Sequence, residues 1–157
     1  MAENNNNTNN NNEMPKVRVV KHFFKTKEDV EADVIKNGFK SRPLTSPVTE
    51  NELPFHYHPV DIVTYALAGK TYFLTGDGEK LQVEAGDKVI IPAGAPHAEG
   101  AVIEQMQYIV SHAGKGKLKG ALVMMDPNSD RDSPEVLGSK DGESDINNAK
   151  QILKSKL

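Results

Sequence analysis

Residues 56–69 read HYHPVDIVTYALAG. Two histidines stand two positions apart, a proline follows, and a largely apolar run ends on Gly69. The whole chain holds five histidines, so two of them this close raise a question. In an extended backbone, residues i and i+2 project to the same side. His56 and His58 are therefore expected on one face, where two imidazoles can share an ion. The plain alternative is a pair of ordinary strand residues that happen to be histidine. The rest of the chain has to decide.

Outward from this stretch, the pattern is one of short β-like runs. LPFHYH, IVTYALA, KTYFLT, EKLQVEA, KVIIPA, VIEQMQYIVSH and LKGALVMM follow one another, with Gly69, Gly76-Asp77-Gly78, Gly86-Asp87 and Gly94 between them. A strand and turn every ten residues or so predicts a sandwich or small barrel. TGDGEK reads as a hairpin turn and EAGDKV as a second tight turn. Lys115, Lys117 and Lys119 alternate ahead of an apolar run and are expected to guard the edge of a strand. Nearer the N-terminus, VRVVKHFF (17–24) reads as a strand. Thr26 then precedes KEDVEADVIKNG, with Asp29 three residues on and Gly38 at the end, the start and stop signals of a helix. Pro43, Pro47 and Pro54 are expected to break up the segment that follows.

The totals set limits. A chain of 157 residues is enough for one domain. With net charge −3 and a pI of 5.9, it gives no reason to expect nucleic acid or an anionic membrane as partner. Cysteine is absent, which excludes disulfides, thiolate nucleophiles and Cys-based zinc sites. No apolar run approaches the roughly 20 residues of a membrane span. The N-terminus lacks the basic and apolar regions of a secretory signal, so a cytoplasmic location is expected. The division expected is a disordered Asn-rich tail over 1–15, a β-barrel domain over 16–126, and a polar linker with a short C-terminal helix over 127–157. In SDINNAKQILKSKL, Ser144 is the N-cap candidate, and Ile146, Ala149, Ile152 and Leu153 share a face.

Two segments, HYHPVDIVTYALAG (56–69) and GDKVIIPAGAPHAEG (86–100), resemble the two motifs of the cupin superfamily. The second motif of that family runs Gly, five residues, Pro, one residue, Gly, two residues, His; Gly86, Pro92, Gly94 and His97 fit it without a gap. The first runs His, one residue, His, three or four residues, Glu, six residues, Gly; His56, His58 and Gly69 fit. The resemblance covers residues 40–126. It implies an all-β fold: a single cupin-type jelly-roll β-barrel with a short N-terminal helix and a C-terminal helix. It also implies that His56, His58 and His97 hold a divalent metal ion, Fe2+, Zn2+, Mn2+ or Ni2+.

One position departs from the pattern. Where the family carries its Glu, this chain has Ile62, with Asp61 one residue before. Three readings follow: a three-His site with water in the vacated place, rescue by Asp61 through a bulge, or a site that no longer holds metal. Glu99 and Glu104 are more remote candidates. The Asn that the family places four residues after its second-motif His is here Ala101. Ile62, Tyr65, Tyr72, Gln105 and Gln107 are the candidates for the substrate pocket; Tyr65 and Tyr72 are most simply packing residues of the barrel, and Gln105 and Gln107 are pocket residues if inward and solvated if outward. His112 reads as an ordinary strand-end residue, and His22 lies outside both motifs.

The function implied is a metal-binding cupin acting on a small, anionic, chelating molecule, with oxygenase chemistry at a three-His site as the nearest analogy. The alternative is a non-catalytic small-molecule or sugar-binding cupin whose metal site is incomplete. The expected partner is a small-molecule ligand, without nucleic acid or membrane. A homodimer through VRVVKHFF is compatible with either function.

Overall fold

The computed structural model describes residues 13–137. The Asn-rich tract at 3–12 and the helix expected over 144–157 lie outside the described residues. The elements are β1 (Arg18–Val20), α1 (Lys27–Asn37), β2 (Lys40–Ser46), β3 (Ile62–Thr75), β4 (Lys80–Glu84), β5 (Lys88–Ile91), β6 (His97–Glu99), β7 (Glu104–His112) and α2 (Leu118–Ala121). Every strand pairing is antiparallel. The main path runs β1-β5-β3-β7-β2, and β4 and β6 also pair with β3. β3 is thus the central strand, shared by both halves of the sheet.

The run from Ile62 to Thr75 is one strand of 14 residues, where the sequence suggests two strands parted by a turn at Gly69. Gly69 instead makes a bulge. Its φ is 93°, and the register with β7 shifts on either side of Ala68. The bulge reverses which side faces inward: Ile62 and Thr64 line the interior before it, Thr71 and Phe73 after it. Only glycine fits, because a Cβ there would stand 2.2 Å from the Gln105 carbonyl oxygen.

Other departures from the sequence reading have local causes. β2 runs straight through Pro43, which pairs with Ile109. This is tolerated because β2 ends the strand order, and an edge strand has no second neighbour to need the missing N–H. VRVVKHFF is a strand only to Val20, because His22 has a φ of 52° and its N–H is taken by the Asp87 carboxylate at 3.1 Å. LPFHYH contributes isolated bridges at His56 and Tyr57, not a strand. LKGALVMM opens as helix α2, so Lys117 and Lys119 guard no strand edge. Leu118 and Ala121 are the buried residues of α2, a spacing of three that serves a helix as well as a barrel wall.

α1 forms as its sequence signals. Thr26 and Asp29 make a reciprocal capping box, and Gly38 ends the helix in the left-handed region at φ 69°. Val30 and Val34 pack on Val63 and Tyr65, so α1 covers the outer face of β3. Tyr65 donates its hydroxyl to Asp33 at 2.5 Å, and the Lys88 ammonium donates to the same carboxylate at 2.6 Å. Burial works to raise the Asp33 pKa, but Lys88 and Tyr65 outweigh it and hold it below its ordinary value. The larger core, including Leu44, Ala66, Phe73, Val89 and Met106, fills the barrel.

Residues 127–137, expected as linker, lie against the barrel. Met125 bridges Tyr57 and Val136. Arg131 stacks on the Tyr57 ring at 3.9 Å and donates to the Gly94 carbonyl at 2.9 Å. No helix among the described residues is long and apolar enough to cross a membrane.

Candidate metal centre

His56 and His97 face each other across an antiparallel bridge, each N–H donating to the other's carbonyl at 2.9 Å. Alternation puts His58 on the side of His56, and Glu99 on the side of His97. A His-x-His segment and a His-x-Glu segment therefore present four side chains to one point. The ligand atoms of His56, His58, His97 and Glu99 all lie within 4.8 Å of one another. The imidazole centroids are 4.8 Å (His56–His58), 4.5 Å (His56–His97) and 5.1 Å (His58–His97) apart. All three rings are buried.

The backbone sets the ring orientation. His56 Nδ1 meets the Pro54 carbonyl at 2.7 Å, His58 Nδ1 the Val123 carbonyl at 3.1 Å, and His97 Nδ1 the Ala95 carbonyl at 2.8 Å. A carbonyl only accepts, so each Nδ1 carries a proton, and in a neutral ring the lone pair is then on Nε2. Backbone carbonyls holding the outer nitrogen of metal-ligating histidines are a common supporting arrangement. His58 Nε2 is buried with no hydrogen-bond partner. Burial, then the neighbouring His56 and His97, lower the His58 pKa to about 3, with Glu99 pulling the other way. His58 is therefore a neutral donor at neutral pH. Three neutral imidazoles and one carboxylate, with no thiolate in the chain, suit a divalent transition ion.

The loop after β5 brings His97 to this point. Gly94 has a φ of 78° and donates its N–H to the His58 carbonyl at 3.0 Å. Asp61 holds the same loop, accepting the Ala93 N–H at 2.7 Å.

Residues 45–110 match the family model described as "Cupin domain", and they span both histidine motifs. This segment is a cupin domain. Among solved structures, the chain is similar to a duf861 family protein from Thermotoga maritima, at 25% identity over 62% of this chain and 99% of that one, with a TM-score of 0.47. It is similar to a DMSP lyase, DddQ, from Ruegeria pomeroyi, at 24% identity over 67% of this chain and 45% of that one, with a TM-score of 0.45. It is also similar to an acireductone dioxygenase from Bacillus anthracis with a cadmium ion in its active centre, at 16% identity over 63% and 79% of the two chains, with a TM-score of 0.46. No curated protein matches the sequence.

In this domain, the group beside the three histidines is completed by Glu99, not by Asp61. Asp61 is turned away, as strict alternation against Ile62 requires, and its carboxylate serves the loop. Glu99 carried the same signal as His58: it stands two residues from a motif histidine on a strand. Ile62 is buried and lines the cavity at the site, as expected for an inward position. The other pocket candidates are corrected. Tyr65 lies on the outer side of β3, under α1. Tyr72 follows inward Thr71 and so points out, where its hydroxyl donates to Glu52 at 2.6 Å. Gln105 and Gln107 are exposed, and Tyr108 and Val110 take the inward positions of β7. Tyr108 was missed. Burial, and then the Glu99 carboxylate, hold its phenol above the ordinary value.

Proposed function

We propose that this cupin holds one divalent metal ion on His56, His58, His97 and Glu99 and uses it to bind a small, anionic, chelating molecule. The observation that carries the reading is the oriented ring set: three Nδ1 atoms engaged by backbone carbonyls, with one ligand atom from each of the three histidines and from Glu99 gathered within 4.8 Å. A bound ion would supply Lewis acidity and, for a redox metal, electron exchange with substrate or dioxygen. The protein supplies the rest. The imidazoles stay neutral and oriented, Glu99 offsets one charge of the ion, and Ile62, Phe73 and Val102 keep the wall dry. Oxygenase chemistry is the reaction class favoured.

A non-catalytic binding barrel is the second reading. Ile62 favours it, since that wall position carries no acid or base, and Glu99 is the one carboxylate among the described residues lining the cavity. Either reading is compatible with a homodimer through β1, which ends the strand order. The test is elemental analysis of untagged protein grown with iron, zinc, manganese and nickel, followed by oxygen uptake with a panel of chelating acids. About one equivalent of metal is expected. Less than roughly a tenth of an equivalent of every metal would rule the proposal out. Full metal with no oxygen uptake would favour the binding barrel.

A further inference from the structure

The cavity is walled by apolar side chains, among them Leu44, Phe73, Ile91, Val110, Leu122 and Met124. Apart from His56, His58 and Glu99, every described residue lining it is uncharged; no lysine or arginine is among them. Its remaining polarity comes from the hydroxyls of Ser46, Thr64, Thr71 and Tyr108. Thr71 gives its hydroxyl to the Ala101 carbonyl at 3.0 Å. Thr64 Oγ1 is buried with no hydrogen-bond partner.

Registers place the residues that carry two of the other hydroxyls on strands next to one another. Tyr108 stands opposite Leu44 on β2 and Ala66 on β3, while Ser46 is opposite Met106 and Thr64 opposite Val110. Ser46, Tyr108 and Thr64 thus form a diagonal across three adjacent strands, each one inward step from the next. A buried hydroxyl left unmatched is unfavourable, and a neutral oxygen on a ligand would satisfy it.

The charge balance points the same way. A divalent ion on three neutral imidazoles and one carboxylate keeps one positive charge. That matches one negative charge on a ligand, and the walls offer no cation for a second.

Resting on the metal reading above, we infer that the ligand is a small monoanion with three parts. A chelating head, such as a 2-oxo acid, meets the His–Glu group. An apolar body fills the cavity. One neutral oxygen reaches the Ser46–Tyr108–Thr64 diagonal. Sugars and dicarboxylates are excluded, because their further polar groups would face hydrocarbon.

The experiment holds the head constant and varies the tail. Titration calorimetry on metal-loaded protein compares 4-methyl-2-oxopentanoate, 4-hydroxy-4-methyl-2-oxopentanoate and 2-oxoglutarate. The hydroxylated acid binds tightest, and 2-oxoglutarate binds at least about tenfold more weakly than either monoanion. Thr64→Val removes the advantage of the hydroxylated acid over the plain one; Ser46→Ala, checked by circular dichroism, serves if the first variant does not fold. Equal or tighter binding of 2-oxoglutarate overturns the inference, as does failure of the metal-loaded protein to bind either monoanion. Metal content measured on the same samples separates the two claims. Protein that retains no metal removes the metal reading and this inference together, whereas metal-loaded protein that prefers the dianion removes the inference alone.

Discussion

Glu99 and Asp61 differ in one respect that decides their roles. Glu99 sits two residues from His97 on a strand, so it shares that histidine's side; Asp61 sits next to inward Ile62, so it does not. Glu99→Gln is expected to weaken metal binding by at least about 10- to 100-fold, since a direct ligand is worth no less than a group that only supports one. Asp61→Ala is expected to leave metal affinity within about twofold while lowering stability by about 1 kcal/mol, through the lost bond to the Ala93 N–H. Competition titrations against a chelator measure both. The histidines were legible in the sequence because they fall in motif register. Glu99 was legible only as a remote candidate, because its place beside them depends on the His56–His97 bridge, a contact between segments about forty residues apart in sequence.

At the scale of elements, the caps of α1 were written locally and could be read locally: Thr26, Asp29 and Gly38 each act within one turn of the helix. The course of β3 could not. Gly69 was legible as a glycine that matters, but turn and bulge use the same residue, and the choice depends on whether β7 runs alongside. That choice sets the inward parity of every residue after it, so the face of Tyr72 could not be read from the sequence alone. Gln105 and Gln107 were left open by the same ambiguity, since alternation gives two faces but does not say which is inside. Gly69→Ala is therefore expected to destabilise the fold by about 2–4 kcal/mol, from both the positive φ and the collision with the Gln105 carbonyl. Denaturant unfolding checks this. A loss under about 0.5 kcal/mol would mean that the bulge relaxes freely.

For the whole molecule, the buried histidines tie stability to pH. His58 has its pKa lowered from 6.5 to about 3 in the folded metal-free protein, by burial first and by His56 and His97 next. Between those values the unfolded chain takes up a proton that the folded protein does not. The contribution is fully present above pH 6.5 and is lost progressively as pH falls toward 3. Metal-free protein should therefore lose about 1.4 kcal/mol per pH unit from this residue across that window, followed by unfolding curves at each pH. His58→Asn should flatten that slope.

The central claim is that four side chains from two facing segments hold one ion. Anomalous diffraction from a crystal of metal-supplied protein tests it most directly. One peak is expected about 2.0–2.2 Å from the Nε2 atoms of His56, His58 and His97, with a Glu99 carboxylate oxygen as the fourth protein ligand. Metal-replete crystals with no peak there, or with a peak ligated through Nδ1 or by Asp61, would contradict it.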